Sequence, residues 1–259
     1  MTTANRIFDV VIVGGGHAGT EAALAAARAG SRTLLITHSI DTLGQMSCNP
    51  AMGGIAKGQI VREIDALGGY SGIVTDNSAV QFKMLNRSKG PAMWSPRAQS
   101  DRMRFAESWR GMLEQTPNLD FYQEMVSGLL VAGTKIVGVK TSLGLEIKSR
   151  AVILTNGTFL NGLIHIGEKQ FGGGRAGEKA SVGITEALTA KGFESGRMKT
   201  GTPPRVDGRS LDYSLMTPQP GDKKPLKFSY SNTTKPLSKQ LDCHMTYTSP
   251  MVHDLLREG

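Results

Sequence analysis

Residues 7–38 leave this chain few folds to choose from. IFDVVIV (7–13) is a short apolar run rich in valine and isoleucine, the pattern of a strand buried in a parallel sheet. GGGHAG (14–19) follows, then an alanine-rich stretch to Ala29 that favours helix, with Gly30 where a helix C-cap belongs. SRTLLIT (31–37) reads as a second strand. The whole is a βαβ unit of roughly 30 residues. In such a unit Gly14 permits the tight turn after the strand, Gly16 lets the backbone approach a pyrophosphate, and Gly19 lets the helix pack closely on the strand. The phosphates would meet the free N–H groups and the positive dipole end of the helix.

The pattern extends past the glycine loop. Ala23 lies four residues beyond Gly19 and Gly30 seven beyond that, a spacing that resembles the fingerprint of FAD enzymes of the glutathione-reductase type. The acidic residue that usually ends the second strand and binds the ribose hydroxyls is missing. Thr37 or His38 stands there, with Asp41 further along, and His38 reads as a surface-loop residue.

Beyond the βαβ unit, residues 38–60 are loop-like and lead into a helix over 55–67. Residues 68–100 are rich in Gly, Ser, Asn and Pro, broken by short apolar pieces. A helix is predicted from Asp101 to Gln115, capped by Ser100 or Asp101. FYQEMV, GLLVA, KIVGVKT and LEIKS (121–149) read as an antiparallel meander. AVIL (151–154) is another buried strand, ending in the turn TNGT. The order βαβ, meander, return strand separates an FAD domain from a plain NAD domain. The expected fold is α/β: a Rossmann-type FAD-binding domain, parallel sheet plus antiparallel meander, followed by the start of a second α+β domain. The boundary is set near residue 196, where proline and lysine rise and apolar residues thin out, giving 1–196 for the FAD domain and 197–259 for the beginning of an inserted NADH/substrate domain.

Composition agrees. Glycine is abundant, 32 of 259 residues, which implies many turns or close approaches to a ligand. A net charge of +8 favours phosphate-rich partners. No apolar run approaches the roughly 20 residues needed to cross a bilayer, so no membrane segment is expected. The N-terminus has no export-signal pattern, and the two distant cysteines, Cys48 and Cys243, form neither a disulfide framework nor a zinc spacing. A cytoplasmic location and no metal site follow as expectations.

Two further features carry chemistry. Cys48 precedes Asn49-Pro50 and the glycine pair Gly53-Gly54 that leads into a helix, and a thiol near a helix N-terminus can serve as a nucleophile. The other reading is a small buried residue packed near the cofactor. Residues 83–110 hold Lys83, Arg87, Lys89, Arg97, Arg102, Arg104 and Arg110 against Asp101 and Glu107, with Phe82, Trp94 and Trp109 interleaved. Arginines for phosphates and aromatics for stacking suit single-stranded RNA loops; a solvated helix face explains the last three arginines as well.

The segments GGGHAGTEAALAAARAG, THSIDTLGQMSCNPAMGGIAKG, LNRSKGPA, GGGRAGE and MKTGTPPR together resemble the glucose-inhibited division protein A family. These are flavoenzymes of tRNA wobble-uridine carboxymethylaminomethyl modification, and their chains are more than twice this length. The resemblance therefore implies an N-terminal portion, and it removes the objection of the missing acid, which that family also lacks. It implies FAD contacts at Gly14, Gly15, Gly16, His17, Ala18 and Gly19, through the backbone of Val126, and at Ser181. It implies NADH as reductant, a folate one-carbon donor, tRNA as substrate, a partner GTPase in a heterotetramer, and a homodimer. Within that chemistry Cys48 becomes a candidate to add to uracil C6, and Lys83, Arg87, Lys89 and Arg97 become candidates for tRNA. A small-molecule flavin oxidoreductase, and a non-catalytic FAD-containing module that binds RNA or a partner, remain the alternatives.

Overall fold

The computed structural model describes residues 6–258; residues 1–5, part of the stretch read as lacking an export signal, and residue 259 lie outside it. In chain order the main elements are β1 (Ile7–Val13), α1 (His17–Arg28), β2 (Thr33–Thr37), β3 (Ala51–Gly53), α2 (Lys57–Ala66), α3 (Ser71–Ser78), β4 (Ala79–Leu85), β5 (Ser95–Ser100), α4 (Arg102–Glu114), β6 (Leu119–Gln123), β7 (Val126–Ala132), β8 (Lys135–Thr141) and β9 (Glu146–Leu154). Two short strands, β10 (Leu163–Ile166) and β11 (Lys169–Gly172), then α5 (Ile184–Thr189), β12 (Thr217–Gln219), β13 (Cys243–Met245) and α6 (Pro250–Glu258) complete the chain.

The principal sheet has the order β6-β2-β1-β9-β8-β7. Its first four strands are parallel, and β8 and β7 add as an antiparallel extension. The two-residue period of β1 and β2 splits the core. Ile12 and Leu35 face α1 and α4, where they meet Leu24, Phe105 and Trp109. Val11, Leu34 and Ile36 face the other side with Val126, Val139, Ile147 and Ile184. Alanines at 23 and 27 are fully buried, so α1 lies close on the sheet. Asp101 caps α4 by accepting from the backbone N–H groups of Met103 and Arg104.

The structure corrects the assignment of elements in three places. FYQEMV is not one strand of the meander: β6 pairs parallel with β2, and Val126 opens β7 after a turn at Glu124-Met125. LEIKS and AVIL are a single strand, β9, antiparallel to β8 over Glu146–Lys148 and parallel to β1 over Lys148–Leu154, and Ile153 stays 39% exposed. Gly138 makes this possible, since a Cβ there would sit 2.1 Å from the Ile147 carbonyl oxygen. Residues 68–100, where the sequence analysis assigns no element, form α3 and most of a second sheet, β3-β5-β4, antiparallel throughout. The sequence SGIVTDNS is a poor helix former. It is helical because Glu21, from α1, accepts the backbone N–H groups of Tyr70 and Ser71 and so caps α3 from outside.

The proline-rich stretch after residue 196 is irregular, yet part of it is packed. Phe228 is fully buried against Phe82 of β4, ring centroids 6.3 Å apart, and belongs to the same core as Trp109. Asp76 accepts from the N–H groups of Phe228 and Ser229 and from the Thr234 hydroxyl. Burial pushes the Asp76 carboxyl up, and these hydrogen bonds oppose that shift. No described helix is long and apolar enough to cross a membrane.

Candidate functional site

The glycine loop has the geometry of a cradle. Gly14 has φ +108° and a Cβ there would lie 2.6 Å from the Thr155 carbonyl oxygen. A Cβ on Gly19 would lie 1.8 Å from the Gly14 carbonyl oxygen, so α1 packs on the turn only because residue 19 is glycine. A Cβ on Gly16 would meet nothing within 4 Å. Gly16 is the N-cap of α1, no side chain caps it, and the first turn carries no acidic residue. The helix N-terminus therefore presents its N–H groups to open space, as an anion requires. Thr155, in the TNGT turn at the end of β9, donates to the carbonyl oxygens of Val13 and Gly14 and locks the return strand to the loop.

That space is part of a cavity of about 480 Å³ at the carboxyl ends of β1, β2 and β9, where ligands of open α/β sheets bind. Of the residues expected from sequence, Gly14, Gly15, Gly16, His17, Cys48, Arg97, Val126 and Ser181 all line it. Ala18 and Gly19 sit one step behind, in the first turn of α1. Three basic side chains, Lys57, Arg97 and Arg175, line the cavity against one carboxylate, Glu124. The Arg97 Nε is buried with no partner among the described residues. An open phosphate cradle, a cationic lining and an orphaned guanidinium nitrogen fit a dinucleotide with a pyrophosphate at its centre.

Residues 39–50 are clasped to the glycine loop. The Gly44 N–H donates to the Gly15 carbonyl at 2.8 Å, and His17 Nε2 lies 3.1 Å from the Gly44 carbonyl oxygen, which accepts from it. Burial first, and the charge of Lys57 second, lower the His17 pKa from 6.5 to about 4, while the bond to Gly44 opposes them. The ring is neutral at pH 7 and serves as a fastener.

Cys48 is not at a helix N-terminus, as expected from sequence: β3 intervenes, and α2 begins only at Lys57. Glycines 53 and 54, with φ +98° and +99°, carry the chain round a bend instead of into a helix. What stands beside the sulfur comes from the TGTPPR segment. The Thr202 hydroxyl donates to Cys48 Sγ at 3.6 Å, and Arg205 donates to the Cys48 carbonyl. Lys57 shares the cavity and donates to the Ala51 carbonyl. Burial lowers its pKa, and the negative charge available at Cys48 acts the other way. Thr202, Arg205 and Lys57 were not singled out as site residues from sequence, although two of them lie in the motif KTGTPPR.

His38 is no surface-loop residue. It lines the cavity just past β2, its Nε2 lies 2.6 Å from Glu178 Oε2, and its ring packs on Phe159 at 4.5 Å. Arg175 bonds Gln45 and pairs with Glu178 at 3.4 Å, so GGGRAGE folds back over the strand end. Asp41 is turned away, paired with Arg110.

The basic cluster divides. Arg97 belongs to the cavity. Lys83 donates to the Pro220 carbonyl, Arg87 pairs with Asp222 at 2.8 Å and lies over the Trp94 ring, and Lys89 is exposed. Phe82 and Trp109 are buried in the core, 2% and 0% exposed, so neither can stack on a base; Trp94 alone of the three is exposed, at 40%.

Comparison with known proteins places the chain. The family model for glucose inhibited division protein A matches residues 9–259. The tRNA uridine 5-carboxymethylaminomethyl modification enzymes MnmG of Christiangramia forsetii and Flavobacterium johnsoniae are 74% and 75% identical over 252 residues, covering 97% of this chain and 40% of theirs. The chain thus spans 40% of the length of these relatives. A crystal structure of Aquifex aeolicus GidA superposes with a TM-score of 0.92 at 49% identity, over 97% of this chain and 43% of that one. The GidA-related protein of Thermus thermophilus shares the fold, with a TM-score of 0.52 at 24% identity. A single family model running from the first sheet strand through the TGTPPR segment to the last residue, with relatives this similar along the same span, means that the chain belongs to the glucose inhibited division protein A family.

Proposed function

We propose that this chain is the cofactor-binding portion of an FAD-dependent enzyme that builds the 5-carboxymethylaminomethyl group on the wobble uridine of tRNA. The observation that carries the reading is the convergence, on one cavity, of the open glycine cradle and Cys48 with its Thr202 partner. Gly14, Gly15 and Gly16 with the N-terminus of α1 would hold the pyrophosphate, and Val126 and Ser181 would contact the adenosine side and the remainder of the cofactor. Bound FAD supplies two-electron chemistry between NADH and a one-carbon unit delivered by a folate.

The chain's own residues do the rest. Neutral His17 fastens the 39–50 loop so that Cys48 is held at the cavity wall. In this reading the Cys48 thiolate forms a bond to uracil C6, the C5–C6 pair moves to C5, and after C5 is substituted its proton leaves and the C6–S bond breaks, restoring the thiolate. Exposed Lys89, with Lys83 and Arg87 near it, would contribute to the tRNA surface. The relatives' names carry the tRNA substrate. The partner GTPase, the homodimer and the cytoplasmic location follow from the family resemblance and belong to the same proposal. The test is an absorption spectrum of the purified chain for bound flavin, then nucleoside analysis of wobble uridine with the full-length enzyme. A protein that binds flavin, is bleached by NADH and leaves uridine unmodified would point to a small-molecule flavin oxidoreductase.

A further inference from the structure

The place where a dinucleotide site normally carries an acidic residue, the end of the second strand, is occupied by His38. The carboxylate is present in space. It belongs to Glu178, 140 residues further along, whose Oε2 lies 2.6 Å from His38 Nε2. Both side chains are largely buried, 29% and 26% exposed. Two contacts fix the pair, and two more hold Arg175 in place. The Phe159 ring packs on the imidazole with centroids 4.5 Å apart, Arg175 holds the other oxygen of Glu178 at 3.4 Å, and Arg175 is itself bonded to Gln45 and lies over Phe159 at 5.1 Å.

This geometry determines what the imidazole offers. In the neutral ring, with the Nε2 proton given to the carboxylate, Nδ1 is left as the acceptor; it has no hydrogen-bond partner among the described residues. A carboxylate behind an imidazole fixes its tautomer and strengthens the far nitrogen as an acceptor. A ribose hydroxyl needs such an acceptor, the role a strand-end carboxylate plays directly. We propose that His38 binds the hydroxyls of the cofactor's adenosine ribose and that Glu178 is its positioning residue, so that the missing acid acts at one remove. The inference rests on the FAD reading of this cavity. It also gives GGGRAGE a task, since closing this segment over the strand end completes the ribose site.

The test compares two ligands by fluorescence titration of the full-length enzyme: FAD, and an FAD analogue lacking the 2′ and 3′ hydroxyls of its adenosine ribose. The unsubstituted enzyme is expected to prefer FAD by about tenfold or more. His38→Ala should bind both within twofold of each other. Glu178→Gln, which keeps shape and changes only charge, should cut the preference at least threefold. His38→Glu combined with Glu178→Gln returns a carboxylate to the strand end and should restore the preference. Equal affinity of the unsubstituted enzyme for the two ligands, or a tenfold preference kept by His38→Ala, overturns the assignment. A general loosening of the fold would weaken both ligands alike and leave the ratio at tenfold, which also counts against it. Failure of the unsubstituted full-length enzyme to bind either ligand overturns the FAD reading itself, and this inference with it.

Discussion

The Thr202 hydroxyl donates to the Cys48 sulfur across 3.6 Å, joining segments 154 residues apart. A donor on sulfur stabilises it as an anion and fixes its direction. In the full-length enzyme, Cys48→Ser should bind flavin, accept electrons from NADH and bind tRNA, yet form no modified base in a single turnover. Thr202→Val should slow that step by about tenfold, the worth of one hydrogen bond to a charged group, with Thr202→Ser close to normal. Nucleoside analysis, with flavin reduction followed in the same sample, reads both. Loss of flavin from the serine variant would make Cys48 structural.

Gly16 and Gly19 should fail differently. Gly16 has φ −76°, which any residue adopts, and open space beyond it, so Gly16→Val should leave the unfolding midpoint unchanged and abolish flavin binding. Gly19→Ala drives a methyl group into the Gly14 carbonyl and should destabilise the fold itself, by roughly 1–3 kcal/mol in denaturant unfolding. Stoichiometric flavin in Gly16→Val would refute the cradle assignment.

His17 makes the flavin-free protein acid-sensitive. Its pKa is about 4 when folded, below the ordinary 6.5, so the unfolded chain takes up a proton that the folded chain refuses. The stability due to the neutral ring is complete above pH 6.5 and is lost as pH falls through 4, in total roughly 3 kcal/mol. His17→Gln should flatten this slope between pH 7 and pH 4 in denaturant titrations. An unchanged slope would show that the ring is not held neutral.

Asp76 should be the anchor of the 222–241 segment. Asp76→Ala leaves the N–H groups of Phe228 and Ser229 and the Thr234 hydroxyl without their acceptor. A loss of about 2 kcal/mol and new proteolytic cleavage within residues 222–241 are expected. Resistance equal to that of the parent would mean that Phe228 alone holds the segment.

Lys89 offers the test of the tRNA surface. It is exposed and carries no ion pair among the described residues, whereas Arg87 is paired with Asp222. Lys89→Ala should lower tRNA affinity for all sequences and reduce the slope of log K against log salt by about 0.7–0.9. An unaltered slope removes this part of the cluster from the interface.

Local signals reached far into the fold. The buried run of β1, the alanines of α1 and the Asp101 cap of α4 speak through neighbours a few residues away, and each forms where the sequence analysis expects it. The glycine spacing likewise marked the cradle. What stayed hidden depends on distant partners. SGIVTDNS is helical with Glu21 capping it and five of its residues buried, and FYQ leaves the meander because β2 accepts it as a parallel neighbour. Nothing around His38 reveals that Glu178 will reach it, and nothing around Cys48 announces Thr202. The aromatics of the basic cluster misled for the same reason, since burial of Phe82 and Trp109 is decided by the core that surrounds them.

The outside cap on α3 carries a consequence for how the chain comes together. Because the carboxylate of Glu21 sits on α1, 50 residues before Ser71, α3 has no stable beginning until α1 is already in place. The order of assembly is thereby biased: the first strand and helix form a template, and the second sheet, which follows directly from α3 through β4, waits for it. In native-state hydrogen exchange the amides of α3 would then never outlast those of α1, and Glu21→Gln would speed exchange in α3 while sparing the first strand.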